Sequence, residues 1–204
     1  MEVRILNNPV DVDASGQIVD FTPLRNAFDY LDSVFEHLAN KPSPPDARAL
    51  KYAVLHLQAA TEILLKARLI HEHWSLVYRD PKAASLSQFR ASVFDSCSVE
   101  ATIDRLEKVA EVLIEKKDRD AINSLTKTRN AFTHYGLTAS AFALESQAAK
   151  VLAFLLPFAT EQLVPKLDED DTWVIGKVDS YWLQLANLQA VVDERMKKQT
   201  QATF

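Results

Sequence analysis

The sequence has very few of the residues on which phosphate loops, disulfides and zinc sites depend. Only three of its 204 residues are glycine, Gly16, Gly136 and Gly176, so neither G-x-G-x-x-G nor G-x-x-x-x-G-K-[ST] can be assembled. Cys97 is the single cysteine, which excludes an intrachain disulfide and a cysteine-based zinc site. So few glycines also leave tight β-turns without their usual residue. The composition therefore favours a mostly helical protein.

An excess of positive charge and a long apolar run are also missing. The chain carries 23 basic and 28 acidic residues, a net charge of −5, so any contact with nucleic acid must come from a local cluster. The N-terminal residues show no basic region followed by an apolar run. The longest apolar stretches, such as 151–158, fall well short of the roughly 20 residues that a membrane span needs. These features predict a cytoplasmic protein with no signal peptide and no membrane contact.

What is present is the composition and periodicity of a folded helical domain. Hydrophobic residues make up 48% of the chain and charged residues 25%. Apolar residues recur at three- and four-residue spacing, which predicts five helices. The first begins at 22–23 and is ended by 41–45, the second covers about 46–73, the third runs from 98 to a break near 116–118, and the last two cover about 119–135 and 139–167. Gly136 is expected to cap the fourth helix. We expect an all-α bundle with its second, fourth and fifth helices at the centre. The predicted core includes Ala53, Ala60, Ile63, Leu106, Leu125, Phe132, Leu152 and Leu155.

The second helix is predicted to be amphipathic, with two stripes at helical spacing. The expected apolar stripe consists of Ala49, Ala53, His56, Ala60, Ile63, Ala67 and Ile70. The expected polar stripe consists of Lys51, Gln58, Glu62 and Lys66.

The chain is predicted to divide into three parts. Residues 1–20 form an N-terminal extension with the signals of a small hairpin, residues 21–170 form the helical domain, and residues 171–204 form a C-terminal helical tail that packs on this domain. Within the domain, 74–97 reads as a long loop containing a short helix. In the tail, Trp173-Val174-Ile175 is predicted as a short strand and the chain as helical from Asp179. The rings of Trp173, Tyr181 and Trp182 suit either core packing or a docking surface.

No metal or cofactor site is predicted. His71 and His73 are two positions apart, which directs them to different sides of a helix, and no H-E-x-x-H sequence occurs. No G-x-S-x-G sequence marks a serine nucleophile.

One segment near the end of the fourth predicted helix combines side chains that can bind a phosphate and exchange a proton. These are Arg129, Asn130 and His134. Arg129 and His134 lie about 7.5 Å apart along a helix axis and about 140° apart around it. Arginine offers forked donors to phosphate, and histidine exchanges a proton near neutral pH. The alternative is structural: Arg129 pairs with a carboxylate, and His134 hydrogen-bonds a carbonyl at the helix end.

The sequence Arg129-Asn130-Ala131-Phe132-Thr133-His134 resembles the R-x4–6-H signature of the HEPN-domain family. The helix around 57–67 also resembles the long helix that precedes the motif helix there. The resemblance spans about 21–167. It implies a bundle of long antiparallel helices that dimerises and sets Arg129 and His134 of both chains in one cleft.

The resemblance implies a metal-independent endoribonuclease of the toxin or phage-defence kind. His134 would move protons and Arg129 hold the phosphate, while Asn130 would orient His134 or bind the phosphate. RNA supplies its own nucleophile, the 2′-OH, so no cofactor is required. Substrate contacts are expected from a wider set of residues: Glu62, Lys66, Lys127, Thr133 and Tyr135.

Two alternatives remain open. Glu62 and Lys66 also fit a simple i,i+4 ion pair on the helix surface. The resemblance equally allows a non-catalytic scaffold that binds a protein partner, such as an antitoxin or a defence-complex subunit, and the net acidic charge is compatible with that function.

Overall fold

The computed structural model describes residues 21–39 and 45–201, and within these ranges it contains seven α-helices and no β-strand. This confirms the all-α prediction; the predicted N-terminal hairpin lies outside the described residues. The helices are α1 (Pro23–Leu38), α2 (Ala47–Glu72), α3 (Leu86–Arg90), α4 (Val99–Val109), α5 (Lys116–His134), α6 (Ala141–Phe158) and α7 (Trp173–Gln201).

Side-chain caps set the starts of the main helices. The Thr22 hydroxyl accepts a hydrogen bond from the Arg25 N–H at 3.3 Å, and Pro23 occupies the first helical position. The Asp46 carboxylate accepts one from the Ala49 N–H at 2.7 Å. Ser98 and Ser140 cap α4 and α6 in the same way. These residues satisfy backbone donors that a helix end otherwise leaves without partners.

Helix α2 lies at the centre of the bundle, where it packs against α1, α4, α5 and α6. It is therefore buried on several sides, and the prediction of a separate polar stripe is wrong at Gln58. That side chain is 2% exposed and accepts a hydrogen bond from the Thr126 hydroxyl on α5 at 3.2 Å. The amide can be buried because its oxygen has this partner. His56, Ile63 and Ile70, predicted on the apolar stripe, are only half-buried.

Helix α5 lies at the edge of the bundle, so the prediction that placed it at the centre is wrong. Its fully buried side chains are Ile122 and Leu125 alone, and Phe132 is half-buried. The other faces of α5 carry polar and charged residues, whose burial without partners would cost free energy. Six of the eight predicted core residues are fully buried: Ala53, Ala60, Leu106, Leu125, Leu152 and Leu155.

Helix α4 ends earlier than the periodicity predicts. Glu111 adopts a left-handed conformation with φ of 54°, and the Val112 N–H bonds to the Leu106 carbonyl at 3.0 Å. Leu113, which falls within the longer predicted helix, is consequently exposed. The residue with left-handed conformation after this helix is a glutamate and not the usual glycine. The end of α4 therefore could not be predicted from a glycine in the sequence.

The segment between α2 and α4 is confirmed as a loop that contains a short helix, α3. Short 3-10 turns at Trp74–Val77 and Pro81–Ala83 accompany it, and its own aromatic rings pack together. Arg105 of α4 holds this loop, because its guanidinium donates to the carbonyls of Leu76, Tyr78 and Arg79.

Helix α7 packs against α1 and α6. It begins at Trp173, so the predicted strand at Trp173-Val174-Ile175 is wrong. Val174 and Tyr181 are fully buried on the same side of α7, and this packing overrides the local β-propensity. The Tyr181 ring stacks on Phe28 and Phe35, with centroids 5.9 and 4.9 Å away.

One helical stretch, Ala141–Lys166, is long and apolar enough to cross a membrane, with a mean hydropathy of 1.3. Half of its apolar window is buried inside the bundle, as in the core helix of a soluble protein. This stretch is therefore weak support for a membrane span, and the expectation of no membrane contact stays a prediction.

Candidate functional site

The end of α5 is a tightly capped helix terminus. Gly136 has a φ of 83°, and its N–H bonds to the Ala131 carbonyl at 2.7 Å. The Tyr135 N–H bonds to the same carbonyl at 2.9 Å. Gly136 thus ends the helix as predicted, and the cap holds His134 and Tyr135 at a defined edge of the bundle.

Arg129 lies on the inward-facing side of α5, about two turns after Ile122 and in line with Leu125 and Phe132. The side chain is half-buried, and its Nη1 donates to Asn130 Oδ1 at 2.9 Å. Among the described residues, no carboxylate lies within ion-pair distance of it. Arg129 is therefore a cation in a position that the helix pattern would give to an apolar residue, and the carboxylate pair of the structural alternative is not formed.

His134 is exposed in the last turn of α5, with its ring centroid 5.8 Å from that of Tyr135. The backbone N–H groups of Tyr135 and Gly136, rather than the imidazole, reach the Ala131 carbonyl. The Thr133 hydroxyl donates to the Arg129 carbonyl at 2.9 Å, so it serves the helix itself. Arg129 and His134 leave α5 in directions about 140° apart. The contacts of one chain therefore join Arg129 to Asn130 and His134 to Tyr135, but do not join the two pairs.

This end of α5 belongs to a stretch of sequence without negative charge. No aspartate or glutamate occurs between Asp120 and Glu145, whereas the stretch includes Lys127, Arg129 and His134. Lys127 is exposed. In a chain of net charge −5, the stretch 121–144 is therefore locally basic. The run is visible in the sequence, and attention to the spacing of acidic residues would have found it.

Glu62 and Lys66 form an ion pair at 2.5 Å, as the i,i+4 alternative predicted. Lys66 Nζ also donates to the Ser96 hydroxyl at 2.8 Å, which ties it to the 74–97 loop. Among the described residues, no hydrogen bond joins this pair to Arg129 or His134. Their expected place beside the substrate therefore has no support from these contacts.

A cluster of histidine and tyrosine rings between α1 and α2 was not predicted. The His56 ring has its centroid 5.4 Å from Tyr30, 5.9 Å from Tyr52 and 6.0 Å from His37, and Ser33 Oγ lies 2.8 Å from His56 Nδ1. Burial lowers the pKa of His56, and the nearby His37 lowers it further. These residues are distant in sequence, so only the pairing of the two helices could have revealed them.

A cavity of about 290 Å³ between α1 and α7 is lined by Phe28, Trp173, Asp32 and Lys177 among others, and by none of the predicted site residues. Within the described ranges, no group of three or more histidine, cysteine, aspartate or glutamate side chains is arranged to hold a metal ion.

Comparison with protein-family models, with curated proteins and with solved structures finds no match to this chain. The HEPN resemblance accordingly rests on the residues quoted for it.

Proposed function

We propose that this protein is a metal-independent endoribonuclease of the HEPN type. The observation that carries the proposal is the environment of Arg129, a half-buried guanidinium that donates to Asn130 and has no carboxylate partner among the described residues, on the same helix as the exposed His134. A guanidinium in this environment can pair with an anionic ligand, and a phosphate is the anion that its forked donors fit.

The antiparallel arrangement of the first two long helices is compatible with a HEPN-type bundle. Ser33 lies beside His56, and the later His37 stacks near the earlier Tyr52, so α2 runs back along α1. This antiparallel pair precedes the motif helix, in the order that the resemblance implies.

The proposed reaction is attack of the RNA 2′-OH on the adjacent phosphorus. The 2′-oxygen–phosphorus bond forms and the bond from phosphorus to the 5′-oxygen breaks, which leaves a 2′,3′-cyclic phosphate and a 5′-hydroxyl. One His134 accepts the proton of the 2′-OH, and a second protonates the leaving oxygen. Arg129 holds the phosphate and stabilises the charge that develops on it. Asn130 positions Arg129, since its side chain contacts that guanidinium rather than the imidazole.

Two copies of the chain are needed to assemble this site. Within one chain the Arg129 and His134 side chains diverge around α5, so a two-fold pairing of α5 ends would set one copy's arginine beside the other's histidine. We expect a dimer by sedimentation at micromolar concentration; a fully active monomer would contradict the shared site.

The test is incubation of the purified protein with a mixed RNA pool in the presence of EDTA. Cleavage should persist in EDTA and fall about 10²–10⁴-fold in His134→Ala, as expected for loss of a general acid–base group. His71→Ala, which removes an exposed histidine of α2, is the matched control and should cleave like the parent. A His134→Ala variant that folds, dimerises and cleaves normally would remove His134 from the mechanism.

A non-catalytic scaffold is the second candidate, and one observation favours it. Trp173 is half-buried and Tyr181 fully buried, but Trp182 is 41% exposed and its neighbour Leu183 69% exposed on the outer side of α7. Apolar side chains exposed next to each other are typical of a protein-binding face. If RNA survives incubation while Trp182→Ala weakens binding of a co-purifying protein partner, the scaffold function is correct.

A further inference from the structure

The cavity between α1 and α7 has aromatic walls. Its volume of about 290 Å³ is close to the lower end of the range for small-molecule sites. Phe21, Phe28 and Trp173 line it, and the Phe28 and Trp173 rings meet edge to face with their centroids 5.4 Å apart. Phe28 is buried and Trp173 half-buried, so both rings are held in place by the packing of the two helices. These walls suit a ligand that carries a planar apolar group.

Two of the four charged side chains that line the cavity are already paired. Lys177 Nζ lies 2.5 Å from one carboxylate oxygen of Asp32, and the other oxygen accepts a hydrogen bond from the Tyr181 hydroxyl at 2.8 Å. This pair joins α1 to α7 and contributes no net charge to the cavity. A ligand therefore meets it as a fixed, neutral part of the lining.

The other two charged side chains of the lining, Arg25 and Asp29, form no ion pair with any residue that the structure describes. Both are exposed, and they lie one turn apart on α1, where Cβ atoms are about 6 Å from each other. The cavity therefore offers one unpaired cation and one unpaired anion beside the same aromatic walls.

We propose that this cavity binds a free aromatic amino acid. Such a molecule is a zwitterion with a planar ring, and each of its three parts has a counterpart in the lining. Arg25 would pair with its carboxylate, Asp29 with its ammonium group, and the aromatic walls with its ring. A ligand with only one charge would leave either Arg25 or Asp29 unpaired. The inference is independent of the proposed nuclease, because none of the predicted site residues lines the cavity.

The test compares the binding of phenylalanine with that of three analogues that lack one or both charges. Phenethylamine has only the ammonium group and 3-phenylpropanoate only the carboxylate. N-acetylphenylalanine amide has neither, and it therefore mimics a phenylalanine within a peptide. Titrations follow the indole N–H signal of Trp173 by NMR, and the signals of Trp74 and Trp182, which do not line the cavity, are internal controls.

Phenylalanine should shift the Trp173 signal with a low-millimolar Kd or a tighter one, as expected for a ligand of about 12 non-hydrogen atoms. Each analogue with one charge should bind roughly two- to fivefold more weakly, because it loses one exposed ion pair. N-acetylphenylalanine amide should bind more weakly than either of them.

Two variants assign the charges to Arg25 and Asp29. Arg25→Gln should weaken the binding of phenylalanine and 3-phenylpropanoate by the same factor and leave that of phenethylamine unchanged. Asp29→Asn should weaken the binding of phenylalanine and phenethylamine and leave that of 3-phenylpropanoate unchanged. Both side chains are exposed, so both variants should fold. Glu36→Gln, which removes an exposed charge of α1 outside the cavity, is the matched control and should bind every ligand like the parent.

Absence of a Trp173 shift with phenylalanine at about 20 mM would overturn the proposal, because this concentration is well above the expected Kd. Equal binding of N-acetylphenylalanine amide would also overturn it, and would assign the cavity to a side chain of a protein partner instead. Equal losses for all ligands in Arg25→Gln or Asp29→Asn would contradict a direct ion pair, which affects only ligands that carry the opposite charge. The same losses in Glu36→Gln would contradict it as well.

Discussion

Replacing Arg129 by methionine should leave the stability of the protein nearly unchanged while removing its proposed activity. Full burial of a methionine side chain contributes about 1.5–3 kcal/mol, so at this half-buried position the gain is about 1 kcal/mol. The substitution loses the hydrogen bond to Asn130, which contributes about 0.5–1.5 kcal/mol. The two terms nearly cancel, and the free energy of unfolding should change by no more than about 1 kcal/mol. For a chain of this size, that corresponds to a shift of at most about 2–4 °C in Tm. Cleavage should nevertheless fall about 10²–10³-fold, the usual cost of removing one donor to a charged transition state.

Calorimetry and single-turnover cleavage measure the two quantities, and Arg119→Met is the matched control. Arg119 donates to Asp104 at 2.8 Å and to Glu107 at 2.6 Å, so its loss breaks two ion pairs that join α5 to α4. Partly exposed pairs of this kind contribute up to about 1 kcal/mol each. The control should therefore lower Tm and leave cleavage unchanged. A fall of more than about 6 °C in Arg129→Met would instead mean that Arg129 is structural, because about 1 kcal/mol accounts for no more than 4 °C.

Three further predictions concern the fold. Arg105→Ala should destabilise the protein by about 2–3 kcal/mol, because it removes charge-assisted bonds to three carbonyls. Hydrogen exchange should then quicken within 74–97; unchanged protection there would show that Arg105 does not hold the loop. Tyr181→Phe should lower the free energy of unfolding by about 1–2 kcal/mol in denaturant titrations, because the buried hydroxyl has two hydrogen bonds. Burial lowers the pKa of His56 in the folded state, so its contribution to stability is present above about pH 6.5 and lost as the pH falls. Tm measured from pH 7.5 to 5 should therefore decline, and a flat profile in that range would contradict the assignment.

The helices were predictable where local signals agree with the final packing. The apolar residues at three- and four-residue spacing in the first helix are all buried, because this stripe faces the side on which α2 and α7 pack: Leu24, Ala27, Phe28, Leu31, Val34, Phe35 and Leu38. Caps at Thr22, Asp46 and Gly136 depend on one or two neighbouring residues, and all of them form. Periodicity failed at α2, since a helix with neighbours on several sides has no single polar face.

The same distinction between local signals and packing between elements applies to the candidate site. The position of Arg129 and His134 near a capped helix end follows from local sequence, and the structure has it. The partner of Arg129 does not follow, because the choice between Asn130 and a carboxylate depends on which elements pack beside α5. Glu62 and Lys66 were expected near the substrate on helical spacing alone. Spacing within one helix cannot show which other element lies opposite, and here it is Ser96 of the 74–97 loop.

The limited burial of α5 and the side chains at its end are both compatible with the proposed nuclease function. A helix with only Ile122 and Leu125 fully buried gains little from packing, and placing Arg129 on its inner side reduces that gain further. The bundle can tolerate this cost because α2, α6 and α7 supply the main core. Stability alone does not require an arginine at 129, because a methionine there is expected to be about equally stable, and it does not explain why Tyr135 is 87% exposed. Both features concentrate at one end of one helix, within a stretch free of acidic residues. The proposed phosphate ligand would account for the arginine and for the absence of acidic residues beside it in the sequence.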